Sequence, residues 1–258
     1  MTVSVIIPTK NSAAVISEAM NSLKVQDCQD FEVIIKDAWS SDDTLLIVGK
    51  FSEFFGSRLV INSEEDGGIY DAMNKAITIS KGEWIYFLGS DDRIYDEHVI
   101  SDVRSILLLS KPDFLYGRVF QEDIHEPSGE HTTIHNLLFE RNIWHQSIFY
   151  SRRLFEVMGK FNTFYPIWAD WDFNIRCFKN PTLKALYFDR IVAYYKNEGG
   201  ASAMADPEFI KELPLFIVKK YEDELKMANR SFLSMCSYMM KAALRRLMFY
   251  GRYNSYCL

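Results

Sequence analysis

Trp84-Ile85-Tyr86-Phe87-Leu88-Gly89-Ser90-Asp91-Asp92 is the stretch that decides the fold. Its first five residues are apolar without alternation, which is the pattern of a strand buried on both faces, as in a parallel sheet covered by helices. Gly89 ends the run, and an acidic loop follows directly. Upstream, Val3-Ser4-Val5-Ile6-Ile7 closed by Pro8 predicts a first strand, Phe31-Glu32-Val33-Ile34-Ile35 a second and Leu59-Val60-Ile61 a third. A helix is predicted from about Ser12, with Val15, Met20 and Leu23 inward, and another from Ile69 to Ile79 after the flexible Asp66-Gly67-Gly68. Strands alternating with helices in this way specify an open α/β sheet. In such sheets ligands bind beyond the carboxyl ends of the strands, which singles out Thr9, Asn11, Asp37 and Ser90-Asp91-Asp92.

Beyond Asp113 the pattern is less regular. Strands are predicted over Phe114 to Phe120, Ser147 to Tyr150 and Leu183 to Phe188, a helix over about Trp171 to Phe178, and a polar loop over Gln121 to His135. From Pro207 onward the composition is helical. This divides the chain into one domain over 1–205, regular α/β to about 112 and less regular over about 113–205. A basic, amphipathic helical extension follows over 206–258.

The 258 residues, 48% hydrophobic and 25% charged, are ordinary globular proportions, which excludes disordered and low-complexity architectures. A net charge of -6 argues against a nucleic-acid binder. No apolar run reaches the ~18 residues a membrane span requires, and Met1 to Thr9 lack the features of a secretory signal. Cys28, Cys177, Cys236 and Cys257 are too scattered for a zinc site or a disulfide framework, so a reduced, cytoplasmic protein is expected. Charge is unevenly placed. After Glu224 there is no acid but there are six basic residues (Lys226, Arg230, Lys241, Arg245, Arg246, Arg252), which leaves 23 basic and 35 acidic residues before Leu225. On a helix, Arg230, Lys241, Arg245 and Arg252 share an arc of about 60° beside an apolar face. That pattern suits either a helix lying on an anionic membrane surface or one packed on the domain.

Two acidic clusters carry the chemistry. Taken alone, Gly89-Ser90-Asp91-Asp92 is most simply a turn or a helix cap. Adjacent carboxylates at a buried strand end, however, repel each other unless a cation neutralises them, and an all-oxygen set suits Mg²⁺ or Mn²⁺. The second cluster is Trp168-Ala169-Asp170-Trp171-Asp172-Phe173-Asn174-Ile175-Arg176, where Asp172 is placed to pair with Arg176 at i,i+4. Asp170 is either a helix cap or a carboxylate pointing into a cleft.

The order of motifs resembles that of the family-2 glycosyltransferases, GT-A-fold enzymes that move a sugar from a nucleotide carrier to an acceptor. The resemblance runs through Val3 to Asn11, Asp37-Ala38-Trp39-Ser40-Ser41-Asp42-Asp43-Thr44, Asp66 to Asn74, Lys81-Gly82-Glu83-Trp84 and Ser90-Asp91-Asp92, and resumes from His145-Gln146 to Arg176. It implies a Rossmann-like open mixed sheet flanked by helices, and makes 1–205 a GT-A catalytic domain with a nucleotide-binding half at about 1–112 and an acceptor half at about 113–205. Pro8, Thr9, Asn11, Asp37, Asp66, Gly67, Gly68, Asn74, Ser90 and Asp91 would then line the nucleotide-sugar site, with Asp37 at the base and ribose and Asp91 at the ribose or pyrophosphate. Asp92 would hold Mn²⁺ or Mg²⁺, and Asp170 would be the general base. His145, Gln146, Trp168 and Trp171 would lie on the acceptor side, and Tyr165 and Trp144 would extend an aromatic wall there. Ala38-Trp39 stands where the family has Asp-Gly, and Ala169 where many members have Glu. The Gln-x-x-Arg-Trp motif of processive synthases is absent, which points to transfer of one residue per acceptor. The resemblance therefore implies an inverting, metal-dependent transferase using a UDP-linked sugar and a saccharide or lipid-linked saccharide acceptor, with peripheral membrane contact through the C-terminal helix as an option. A catalytically silent sugar-binding scaffold is the reading from another class. A nucleotidylyltransferase lacks its Gly-rich basic signature. His131 and His135 are read as solvated, and Gly199-Gly200-Ala201-Ser202 as a flexible segment over the site.

Overall fold

The parity of the first strands divides the core in two. In the computed structural model, which describes residues 3–196 and 204–228, strands β1 (Val3–Thr9) and β2 (Phe31–Asp37) are buried along their whole lengths. Strand β3 (Leu59–Ser63) is half exposed at the sheet edge, and β4 (Trp84–Phe87) is fully buried. Odd-numbered Val3, Val5, Ile7, Phe31, Val33 and Ile35 share one core with helix α1 (Ile16–Lys24), with the short helices α2 (Thr44–Gly49) and α3 (Ser52–Phe55) lying over its edge. Even-numbered Ile6 and Ile34 face α4 (Ile69–Ile79) on the opposite side. A period of two on a strand with apolar residues in both registers leaves no face for water.

After β4 the chain adds a two-residue strand β5 (Arg93–Ile94) and helix α5 (Val99–Ser110). Next come β6 (Phe114–Gln121), β7 (Glu126–Ser128) and helix α6 (Ile134–Phe139). Strand β8 (Ile148–Ser151) leads to helices α7 (Arg152–Met158) and α8 (Ala169–Lys179), then β9 (Ala185–Tyr195) and α9 (Pro207–Ala228). The strand order is β3-β2-β1-β4-β8-β6-β9-β5, with β7 pairing on β6. The first four strands are parallel, and β8 enters antiparallel to β4. The result is the open mixed sheet predicted above.

Several elements differ from the sequence reading. Strand β1 runs through Pro8 to Thr9. Ile6 O accepts from Leu88 N and Thr9 O from Ala38 N, so even-numbered residues face β4. Pro8 lies on that side beyond the last β1–β4 pair, where no ladder bond needs its missing N–H. Helix α1 starts at Ile16 instead of Ser12, because Ser12 O accepts from both Val15 N and Ile16 N in a preceding turn. Ile16, and not Val15, is the inward residue. The 121–135 segment is not one loop. It holds the β6–β7 hairpin and then a Thr133–Asn136 capping box that opens α6. Strand β9 continues past Phe188 through Asp189-Arg190, where a register shift against β6 interrupts the apolar pattern.

Helix α9 buries Phe209, Leu213 and Ile217 in the same core as Tyr165 and Phe173, so its first half is part of the body. The basic stripe over 230–252, the Gly199 to Ser202 segment, Cys236 and Cys257 lie outside the described residues. Cys28 and Cys177 are free thiols. Among the described residues, no helix is long and apolar enough to cross a membrane.

One polar lock fixes where β4 enters. Buried Glu32 Oε1 accepts from Ser4 Oγ at 2.6 Å and from Lys81 N at 2.5 Å, and Gly82 N donates to Ser4 Oγ at 2.8 Å. A Cβ on Gly82 would sit 2.5 Å from the Ser4 backbone nitrogen, so only glycine fits. Gly82→Ala is expected to lower stability by about 1–3 kcal/mol, measured as a fall in the urea midpoint at unchanged slope.

Candidate active site

Three strand ends, those of β1, β2 and β4, converge on one edge of the parallel sheet, and the site is built from the loops that leave them. Asp37, the last residue of β2, is wholly buried. Its Oδ2 accepts from Ser63 Oγ at 2.6 Å and Ser40 N at 3.1 Å, whereas its Oδ1 has no partner. A buried carboxylate oxygen without a protein donor can still accept an N–H or O–H. The β1 and β2 loops are stitched together, with Asn11 N donating to Ser40 Oγ and Ser41 N to Asn11 Oδ1. Thr9 is buried, its hydroxyl turned back to Ile7 O. Asn11 and Trp39 both take left-handed backbone with φ of 51°. For a bulky side chain that is an uncommon, strained conformation, and it gives a physical reason for the glycine expected at this position. Trp39 is 62% exposed at the rim.

Ser90 Oγ meets Ser12 Oγ at 2.9 Å, tying the β4 loop to the turn after β1. The carboxylates of Asp91 and Asp92 fold back over Gly89, where an added Cβ would collide with Asp92 Oδ2. Asp92 is only 4% exposed, and its Oδ2 accepts from Gln146 Nε2 at 2.9 Å. Burial first, and then the neighbouring Asp91 charge, push its carboxyl up to about 7.

Asp170 lies in the first turn of α8. It is not the helix cap, a position held by Trp168. Asp170 Oδ1 accepts from Tyr70 OH at 2.7 Å and Oδ2 from Asn142 Nδ2 at 2.8 Å. Burial raises its pKa, opposed by the charge of His145 and by these hydrogen bonds. His145 joins the two clusters. Burial lowers its pKa, while Asp170 and Asp91 both pull it upward, and its neighbour Gln146 holds Asp92. The two acidic clusters therefore meet at His145-Gln146, with Gln146 bonded to Asp92 and the charges of Asp91 and Asp170 both acting on His145.

The other expected residues make structural contacts. Asn74 gives Nδ2 to Phe161 O at 2.9 Å and takes Phe161 N at 3.0 Å, which makes it a clasp between α4 and the segment before α8. Asp66 accepts from Gly68 N and Asp71 from Gly67 N, holding a turn whose Gly68 has a φ of 124° that requires glycine. Trp168 and Trp171 pack on Phe209 of α9 at 5.7 and 5.3 Å, and Tyr165 OH donates to Glu212. The aromatic wall expected for an acceptor is thus largely interior packing, with part of each tryptophan still exposed. Trp144 packs beside Tyr195 with the rings tilted by 45°. Asp172 pairs with Arg176 at 2.9 Å, as its spacing predicts. His131 is exposed, and His135 packs on Phe139. The sequence reading missed Tyr70 and Asn142, which stand 100 and 28 residues from Asp170 and so carry no spacing signal.

The family profile described as "Glycosyl transferase family 2" matches residues 4–172, a span that includes both acidic clusters. A Mycobacterium tuberculosis protein named "PGL/p-HBAD biosynthesis glycosyltransferase" is 42% identical over 214 residues, covering 82% of this chain and 84% of that protein. The chain belongs to glycosyl transferase family 2. This family-2 glycosyltransferase is also 33% identical over 144 residues to the Staphylococcus aureus poly(ribitol-phosphate) beta-N-acetylglucosaminyltransferase TarS, covering 53% of this chain and 25% of TarS. Among solved structures, S. aureus TarS 1-349 in complex with UDP-GlcNAc superposes with a TM-score of 0.70 at 22% identity, over 96% of this chain and 73% of that one. Against TarS 1-349 in another crystal structure the coverage is 84% and 64%, so the matched region is just under two thirds of that chain. The mannosyltransferase PcManGT of Pyrobaculum calidifontis, in complex with GDP-Man and Mn²⁺, gives 0.60 at 18% identity over 98% and 82%. The shared fold is GT-A. Among the described residues of this family-2 enzyme, no three His, Cys, Asp or Glu side chains cluster as a metal site.

The Asp92 carboxyl has a measurable consequence. It keeps its proton up to about pH 7 when folded, whereas a free aspartate releases it near ~4. The native state binds the extra proton in that window, so this group's contribution to stability falls as pH rises through it and is flat above. In divalent-free buffer, Asp92→Asn is expected to stabilise the protein by roughly 2–4 kcal/mol at pH 8 and little at pH 4.5, read from urea midpoints at both pH values.

Proposed function

We propose that this glycosyltransferase is an inverting enzyme that transfers one sugar from a uridine-linked donor to a saccharide or lipid-linked saccharide. The observation that carries this reading is the His145-Gln146 junction, where Gln146 bonds to Asp92 and the charges of Asp91 and Asp170 both act on His145. The acidic pair would sit at the diphosphate end of the donor and Asp170 at the acceptor. Asp170 takes the proton of the acceptor hydroxyl. The acceptor oxygen then bonds to the anomeric carbon from the face opposite the diphosphate, and the old carbon–oxygen bond breaks with its electron pair staying on the diphosphate. A positioned base of this kind contributes typically ~10²–10⁴-fold, and burial makes Asp170 a stronger base than a solvated aspartate.

The donor set suits a hard cation. Two carboxylates whose mutual repulsion and burial hold Asp92 near pH 7 lack a counter-charge, and the nearby Gln146 Oε1 is a buried oxygen without a partner. Mg²⁺ and Mn²⁺ take few protein oxygens and complete their shell with water and phosphate, so Asp92 with Asp91 would hold the ion. When bound, it would neutralise charge developing on the departing diphosphate.

Base choice is argued from Asp37. With Oδ2 already taken by Ser63 and Ser40, only Oδ1 is free to accept. One acceptor matches the single imide N–H of uracil better than the two adjacent donors of guanine. The chain's relatives are named for work on PGL/p-HBAD and poly(ribitol-phosphate), which supports a glycan or glycolipid acceptor. The basic stretch after Leu225 would suit work beside an anionic membrane surface, where lipid-linked acceptors reside.

A thermal-shift panel of UDP-, GDP- and TDP-sugars with and without Mn²⁺ tests the donor, since a ligand selective for the native state raises its melting temperature. The UDP series with Mn²⁺ is expected to give the largest rise. Asp170→Asn is expected to cut transfer by ~10²–10⁴-fold with donor binding retained. Asp92→Ala is expected to lose the Mn²⁺-dependent part of binding. Full transfer activity in Asp170→Asn would remove the base assignment, and binding by wild type without any transfer would favour a silent scaffold.

A further inference from the structure

Asp170 is held by residues from three separate parts of the chain. Tyr70, in the first turn of α4, places its hydroxyl 2.7 Å from Asp170 Oδ1 and also 2.7 Å from Ile167 O. Asn142 Nδ2 meets Oδ2, Asn174 Nδ2 donates to Asn142 Oδ1, and Tyr150 OH donates to Asn174 Oδ1, so the second oxygen is fixed by a buried chain of amides. The two oxygens are not held alike. The amide side is locked from behind, whereas the Tyr70 hydroxyl has one proton and two acceptors at equal distance.

We propose that Tyr70 is the positioning residue of the base: its hydroxyl donates to Asp170 while the carboxylate is charged and turns to Ile167 O once the carboxylate has taken the acceptor's proton. The proposal rests on the reading of Asp170 as the base. A charged carboxylate is a much better acceptor than its neutral acid or a carbonyl, so the equilibrium between the two acceptors follows the protonation of Asp170. Tyr70 stays protonated throughout, because burial and the Asp170 charge raise its own pKa well above the ordinary value. Tyr70 also follows Gly67-Gly68 by two residues. The turn expected to meet the donor and the group that steadies the base therefore belong to the start of one helix, and a displacement of that helix start would be felt at both.

The other groups facing Asp170 are His145 on the turn before β8, Tyr150 on β8 and the Trp171 N–H of its own helix. Asp206, at the start of α9, takes the N–H groups of Ile167 and Trp168 just before it. None of these is altered by Tyr70→Phe, which removes one hydroxyl and keeps the ring against Phe161.

The test has two readouts. The Asp170 carboxyl is followed by ¹³C NMR in wild type and Tyr70→Phe, its signal identified by its loss in Asp170→Asn, and kcat/KM is measured against pH for both proteins. Losing a hydrogen bond to the charged form is expected to raise the Asp170 pKa by about one unit or more. The acid limb of the rate profile should move up equally, giving about a tenfold loss below the limb and recovery above it, with KM for the donor unchanged. An unchanged carboxyl titration overturns the proposal. A pH-independent loss of activity also overturns it, since that is what a merely structural tyrosine would give. A raised carboxyl pKa with an unmoved rate profile means that Asp170 is not the base, which sinks the parent reading while leaving the Tyr70 contact established.

Discussion

Asp37, Asp92 and Asp170 are each almost wholly out of water, and a carboxylate there must find donors, a cation or a proton. The three meet that requirement differently. Asp170 is given a donor on each oxygen, so its charge is supported within the protein. Asp37 is supported on one oxygen and open on the other. Asp92 has one amide and a like-charged neighbour, and burial together with that neighbour's charge raises its carboxyl to about 7, so that near neutral pH a sizeable fraction keeps its proton. The base, the hydrogen-bond acceptor and the cation site proposed above are thus the same side chain in three environments.

Keeping such groups in place needs a stiff frame, and the two halves of the chain supply it by different means. In the first half, parallel strands buried on both faces are locked at their entry by Ser4, Glu32 and Gly82. In the second half the frame is aromatic. Phe173 of α8 stacks on Phe155 at 4.8 Å and meets Phe161 at 5.1 Å, and Phe161 packs on Phe87 of β4 at 5.4 Å. Rings touching in this way are worth more than their buried area alone. The contacts run from beneath the Asp92 loop to beneath Asp170. The Asn74–Phe161 clasp fastens α4 to the same layer, so the helix that carries Tyr70 does not move independently of it.

The fold was legible because its evidence is local. Trp84 to Leu88 and Phe31 to Ile35 announce buried parallel strands by composition, and Ile69 to Ile79 forms a helix with the bounds its sequence predicts. What went unread was local pattern interrupted by something distant. Strand β9 hides behind Asp189-Arg190, whose charges answer Arg118, Asp96 and Asp102 on other elements. Strand β7 (Glu126–Ser128) is three residues long and carries Pro127, too short for any period to emerge. The tryptophans of 168 and 171 look like a binding wall until Phe209 is seen against them.

The sequence by itself determined the sheet, the acidic loop at the end of β4, the Asp172–Arg176 pair and the family, since each depends on residues adjacent in the chain or on motifs in a fixed order. Only the tertiary structure decided that Asp170 is steadied by Tyr70 and Asn142, that Gln146 rather than a second carboxylate touches Asp92, and that Asn74 is a clasp. Hydrogen bonds act over about 3 Å and have no memory of sequence distance. Partners separated by tens of residues become visible only when the sheet has brought their elements together.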